Sequence, residues 1–148
     1  MKILVAQDGS ESSLRAIGAV IDLAARLREP PQVHLVFVHP PIPLDFATKH
    51  IDQAALDAYY REEGEQALAA ASDLLAAASI ALTRHVHVGA AAPTIVRLAG
   101  ELGCQLICLG THGRGALSTV LLGSVAAKVV HLSTVPVMLV RQSSGSTP

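Results

Sequence analysis

Apolar residues are distributed along this chain in two ways, as short dense runs and as longer stretches where they recur every three or four positions. The first dense run, residues 2–7, ends in Asp8-Gly9-Ser10, which is the pattern of a strand buried on both faces and opening into a turn. Over residues 12–28, Leu14, Ile17, Ile21, Ala24 and Leu27 share one side with charged residues between them, predicting an amphipathic helix that Pro30-Pro31 stops. Residues 33–38 read as a second strand, and Pro40, Pro41 and Pro43 open an irregular segment reaching about His50. A long helix follows over 51–78, with Gly64 as a place for a kink. Residues 82–88 alternate Leu82, Val86 and Val88 with Thr83, His85 and His87, the period of a strand with one wetter face, so an edge position suits them. Arg84 breaks the apolar parity. A short helix over 94–102 closes at Gly103, residues 105–109 form another buried strand, and 110–122 read as a loop. A helix over 124–132 and an apolar strand over 135–141 complete the pattern, and the Ser/Gly/Thr/Pro-rich tail 142–148 is expected to be disordered.

Strands and helices thus alternate five times, which predicts an α/β fold: an open parallel sheet with helices on both faces, joined by right-handed crossovers. The 148 residues, 51% of them hydrophobic, suit one domain over 1–141. Eleven basic against 12 acidic side chains and only 3% aromatic residues give neither a basic field nor stacking platforms, so no nucleic-acid partner is expected. The greasiest stretch, 67–82, is interrupted by Ser72, Asp73 and Ser79 and falls short of a span of about 20 apolar residues, so no membrane partner is expected either. Cys104 and Cys108 are too few for a disulfide framework and share strand parity as core thiols. With no export leader in the pattern of the first residues, a reducing cytoplasm is the expected location.

Ligands of open α/β sheets bind beyond the carboxyl ends of strands. Two such ends stand out here, Asp8-Gly9-Ser10 after the first strand and Gly110-Thr111-His112-Gly113-Arg114-Gly115 after the fourth, the latter leading on to Gly123-Ser124 at a helix start. Glycines let backbone amides approach a phosphate closely, and a helix N-terminus adds unpaired donors and the positive end of a dipole. Glycines after a strand also serve simply to turn the chain. The full spacing G-x2-G-x9-G-[S/T], carried by Gly110, Gly113, Gly123 and Ser124, is more telling. At about 7% Gly and about 12% Ser plus Thr it should arise by chance in such a chain with a probability of roughly half a percent.

These residues resemble the universal stress protein family, in its ATP-binding branch. The resemblance runs from Lys2 to Arg141 and is carried by Lys2-Ile3-Leu4-Val5 leading to Asp8-Gly9-Ser10, by Val88-Gly89, by the glycine segment from Leu109 to Gly115, by Leu121-Leu122-Gly123-Ser124-Val125 and by Val135-Pro136-Val137. It implies a Rossmann-like sheet of the adenine nucleotide alpha hydrolase type, with strand order 3-2-1-4-5. It implies further that Gly110, Gly113, Gly123 and Ser124 cradle the phosphates and ribose of ATP, joined by the Val125 amide. Asp8 would contact the ribose hydroxyls or lie near a bound Mg²⁺, and the backbone of Val38 would recognise adenine. Arg114 is a candidate for screening phosphate charge. The family also implies a homodimer through the last strand, Val135 to Arg141. Gln7 before the Asp and Ala91 after Gly89 depart from the common pattern, and Gln7 bears on the polarity near Asp8.

Each candidate has a plainer alternative. Asp8 suits a turn or helix cap, His112 a loop support as much as a general base, and His85 with His87 an ordinary wet strand face as much as two metal ligands. A phosphate-binding Walker loop, a zinc-protease helix and a nucleophile elbow are all absent from the sequence. The expectation is an ATP-binding regulatory or stress-response protein with at most slow hydrolysis. The alternatives are a nucleotide-free interaction module of the same fold, and a dedicated ATPase or nucleotidyl transferase.

Overall fold

The computed structural model describes residues 1–43, 51–112 and 122–142. Nine elements follow in chain order: β1 (Lys2–Ala6), α1 (Glu11–Ala24), β2 (Gln32–His39), α2 (Gln53–Ala77), β3 (Leu82–Val88), α3 (Ala91–Leu102), β4 (Leu106–Gly110), α4 (Ser124–Leu132) and β5 (Val137–Val140). The strands form one sheet in the order β3-β2-β1-β4-β5, parallel at every pairing. The expected tail over 142–148 falls, beyond residue 142, outside the described residues.

Alternation along the buried strands feeds two apolar layers. Ile3 and Val5 of β1 pack with Ala16, Ile17 and Val20 of α1 and with Leu68, Ala71 and Leu75 of α2. Leu4, one pleat over, packs with Ile95 and Leu98 of α3 and with Ala126 and Val129 of α4. Ile3, Leu4 and Val5 are fully buried, which is why β1 carries no polar residue at its centre.

Several boundaries differ from the sequence expectation for identifiable reasons. α1 ends at Ala24 and not near Arg28: beyond it the amides of Arg26 and Leu27 bond back only three residues, to Leu23 and Ala24, and Pro30 demands an extended residue before it. α3 begins at Ala91, three residues early, because Pro93 sits in its first turn, where a missing N–H costs nothing. α2 runs uninterrupted through Gly64. This glycine marks a close approach: a Cβ there would lie 2.5 and 2.7 Å from the two methyl carbons of Val86 on β3. β3 is an edge strand, and Arg84 on its apolar parity reaches out to Glu65 of α2 at 2.7 Å.

Both cysteines are buried, but on opposite sides of the sheet. Cys104 precedes the strand, in the turn made by left-handed Gly103, so strand parity does not apply to it. Burial raises both thiols, that of Cys108 to about 12.

His85 is no lone wet residue. Its Nε2 lies 3.0 Å from Nδ1 of His34 on β2, and its ring stacks on that of His87. One nitrogen of such a contact must carry the proton. The other ring nitrogen of His34, Nε2, is shielded and has no partner, so the better assignment puts the proton on Nδ1 of His34, donating to His85. Burial lowers both imidazoles, aided by Lys2 at His34 and by His34 and His87 at His85. The unfolded chain, with ordinary histidines near 6.5, therefore binds protons first as the pH falls. Stability from this pair is complete above about pH 6.5 and is lost as the pH drops toward the lowered folded values. Melting temperatures taken from pH 8 to pH 5 should fall more steeply for the wild type than for His85→Gln; equal slopes would refute the linkage.

Candidate functional site

A cavity of about 710 Å³ opens at the carboxyl edge of the sheet, between the ends of β1 and β4. The chain leaves β1 for α1 on one face and β4 for α4 on the other, which makes this the switch point where ligands of such sheets bind. Its size falls in the range of small-molecule sites. Val36 and Val38 of β2, Leu109 of β4 and Ile95 of α3 supply apolar wall.

Two helix starts add backbone donors to the polar residues of the lining, among them Asp8, Thr111, His112 and Ser124. α4 starts at Gly123 and α3 at Ala90, neither with a side-chain cap, and both helix starts line the cavity. The first amides of a helix have no intrahelical acceptor, so two sets of donors and two positive dipole ends face one space. α1, by contrast, is closed by its own cap, Ser10 Oγ accepting from the Ser13 amide at 3.2 Å. Glycine makes the approach possible. Gly123 donates its N–H to the Thr111 carbonyl at 2.7 Å, and a Cβ on Gly123 would sit 2.8 Å from that same oxygen.

Asp8, Val38, Gly110, Gly123, Ser124 and Val125 all line the cavity. Gly113 and Arg114 lie outside the described residues. Asp8 also makes the turn its residue type favours, Oδ1 accepting the Ser10 amide at 2.9 Å, so lining and turning are compatible. His112 supports the loop start: its Nδ1 lies 3.0 Å from Thr111 Oγ1 and its amide donates to Ser12 Oγ at 3.4 Å. Gln7 lines the cavity too, and its Oε1 is shielded without a hydrogen-bond partner among the described residues. It is buried on the α1 side, and its Nε2 donates to the Ser13 carbonyl at 2.8 Å.

The sequence reading missed the α3 start, with Ala90 and Ala91, and the wall formed by Pro40 and Pro41. One signal for the first was present. Gly89 adopts φ +153°, a backbone that favours glycine, and Pro93 marks a helical first turn. The described lining contains no Lys or Arg. Among the described residues no group of three or more His, Cys, Asp or Glu is arranged to hold a metal ion, and no helix is long and apolar enough to cross a membrane.

Comparison with known proteins agrees with this architecture. The family model described as the universal stress protein family matches residues 1–141. Universal stress protein YxiE of Bacillus subtilis is 32% identical, over 95% of this chain and 98% of its own length. Universal stress protein MJ0531 of Methanocaldococcus jannaschii is 28% identical, over 95% of this chain and 82% of its own. Among solved structures, MJ0577 of the same archaeon superposes with a TM-score of 0.81 at 25% identity, covering 97% of this chain and 96% of that one. A universal stress protein in complex with cAMP superposes with a TM-score of 0.59 at 27% identity, covering 95% and 96%. With a family match across nearly its whole length and a fold shared with those structures, the chain belongs to the universal stress protein family.

Proposed function

We propose that this protein binds an adenine nucleotide, ATP with Mg²⁺, in the cavity between β1 and β4, and works as a nucleotide-dependent regulatory homodimer. The observation that carries the reading is the pair of uncapped helix starts, α3 and α4, facing one apolar-walled cavity. Apolar wall suits a base and unpaired amides suit phosphates. Gly110, Gly123, Ser124 and Val125 would hold the phosphates and ribose, with Gly113 and Arg114 completing the loop. Val38 would meet the base, and Asp8 the ribose or the metal. A described lining without Lys or Arg leaves much of the triphosphate charge to the helix dipoles and a divalent cation, which is the reason for including Mg²⁺.

The described lining holds one hydroxyl–imidazole pair, Thr111 Oγ1 and His112 Nδ1 at 3.0 Å, which supports the loop start, but no Lys or Arg side chain to go with it. Strong phosphoryl transfer needs an electrostatic clamp as well as a positioned base. Turnover should stay below about 1 s⁻¹, the low end of typical enzymes. A faster rate would favour a dedicated ATPase or nucleotidyl transferase. One neighbour is in complex with cAMP, so cAMP and AMP are the competing ligands to compare.

Calorimetric titration of nucleotide-stripped protein with Mg-ATP, beside Gly123→Val, tests the reading. Micromolar binding is expected for the wild type, weaker without Mg²⁺, and absent in a variant that still melts cooperatively. The valine would displace the Thr111 carbonyl and project into the cradle. Absence of binding by the wild type would overturn the nucleotide reading in favour of an interaction module.

A further inference from the structure

The wall that carries Pro40 and Pro41 has no regular structure, and something must fix its position. In Pro40-Pro41-Ile42-Pro43 three residues have no backbone N–H, so the segment has a single main-chain donor of its own, Ile42. That donor goes to α2, where the Tyr60 hydroxyl accepts the Ile42 N–H at 3.1 Å. Tyr60 does not line the cavity. Its ring lies edge-on to His39 at the end of β2, with centroids 4.9 Å apart, and Nδ1 of His39 is 2.6 Å from the Pro40 carbonyl. Tyr59 and Phe37 also contact the His39 ring, so the start of the wall rests on an aromatic support.

We infer that Tyr60 is a positioning residue for the ligand site: through its hydrogen bond to Ile42 it sets the Pro40-Pro41 wall against the end of the ligand that meets Val38. The inference rests on the nucleotide reading. Proline rings hold the segment extended whatever else happens, so the hydrogen bond chiefly decides where that stiff strip lies and not whether it is ordered. Its influence should fall on the base end of the nucleotide, remote from the α4 amides.

Tyr60→Phe keeps the ring and removes only the hydroxyl. Affinities for AMP, ADP and ATP, each with Mg²⁺, should all weaken by the same factor, roughly 3- to 10-fold, the worth of one net hydrogen bond. The melting temperature without ligand should stay close to that of the wild type, and the Ile42 amide should exchange faster with deuterium. A purely structural role predicts a lower melting temperature with affinities of the folded protein unchanged, and that result overturns the inference. So does a loss that grows with the number of phosphates, which would locate the effect in the cradle. If the wild type binds none of the three, the nucleotide reading fails and takes this inference with it. If the wild type binds and Tyr60→Phe binds equally well, only the inference fails.

Discussion

Gly110→Ala should destabilise the fold by about 2–3 kcal/mol, read as a melting temperature lower by roughly 5–10 °C. The glycine closes β4 directly beneath the first turn of α1. A Cβ there would lie 2.6 Å from the Ser12 carbonyl oxygen and 2.7 Å from its carbon, and would also collide with the Ser12 hydroxyl. Two of the three nearest atoms are backbone, so no rotamer change relieves the clash, which puts the cost toward the upper end of overpacking. Ser12 is buried and its hydroxyl accepts the His112 amide, so moving it disturbs the start of the glycine loop as well. Binding of Mg-ATP should weaken with stability. Gly18→Ala on α1 is the control: nothing lies within 4 Å of its Cβ position, and it should be neutral or stabilising by about 0.5–1 kcal/mol. If the two variants melt together, the close approach at Gly110 is not limiting.

Leu139→Pro should convert a homodimer into monomers. Among the described residues β5 is paired on one side only and forms the edge of the sheet opposite β3. It receives the Ile107 amide at the Pro136 carbonyl and the Thr111 amide at the Val140 carbonyl. Alternation along a parallel ladder therefore turns the N–H and C=O groups of Val137 and Leu139 toward the free edge. An unprotected edge of this kind is a template for pairing with a second copy. Proline at 139 removes one outward donor without removing a bond to β4, and edge strands tolerate it for that reason. Charges at 137 and 139 would test something else, because both side chains pack into the layer under α3 and α4 and would disrupt the core. Sedimentation at equilibrium should return twice the chain mass for the wild type and one chain mass for Leu139→Pro. A wild type at one chain mass would overturn the dimer.

The layers and the apolar centre of β1 were readable because the physical signal was local. Ile3, Leu4 and Val5 are consecutive and buried on both faces, with Lys2 before them and Gln7-Asp8 following Ala6. Gly110, Gly123 and Ser124, which line the cavity, could be singled out through their spacing and through their places at the end of a strand and the start of a helix. Strand order came only from the family resemblance, since no local pattern says which strand lies beside β1. What stayed hidden depends on approach between distant segments. Gly64 looks like a helix defect until Val86 is seen against it. The Tyr60–Ile42 contact joins two residues that no period relates, and the uncapped start of α3 was obscured because Pro93 reads as a boundary when it stands inside the first turn.

The two buried thiols make the protein its own unfolding probe. Cys104 lies under α3 and Cys108 beneath α1, on opposite faces of the sheet and both in cysteine-poor surroundings that supply no competing thiol among the described residues. Only a thiolate reacts with an aromatic disulfide reagent, and burial both shields these sulfurs and keeps them protonated. Cys108, fully buried within β4, therefore becomes reactive only when the layer under α1 opens, whereas Cys104, in the turn between exposed Gly103 and Gln105, needs only local opening. The order in which the two are modified under mild conditions thus separates fraying of that turn from opening of the α1 side of the sheet.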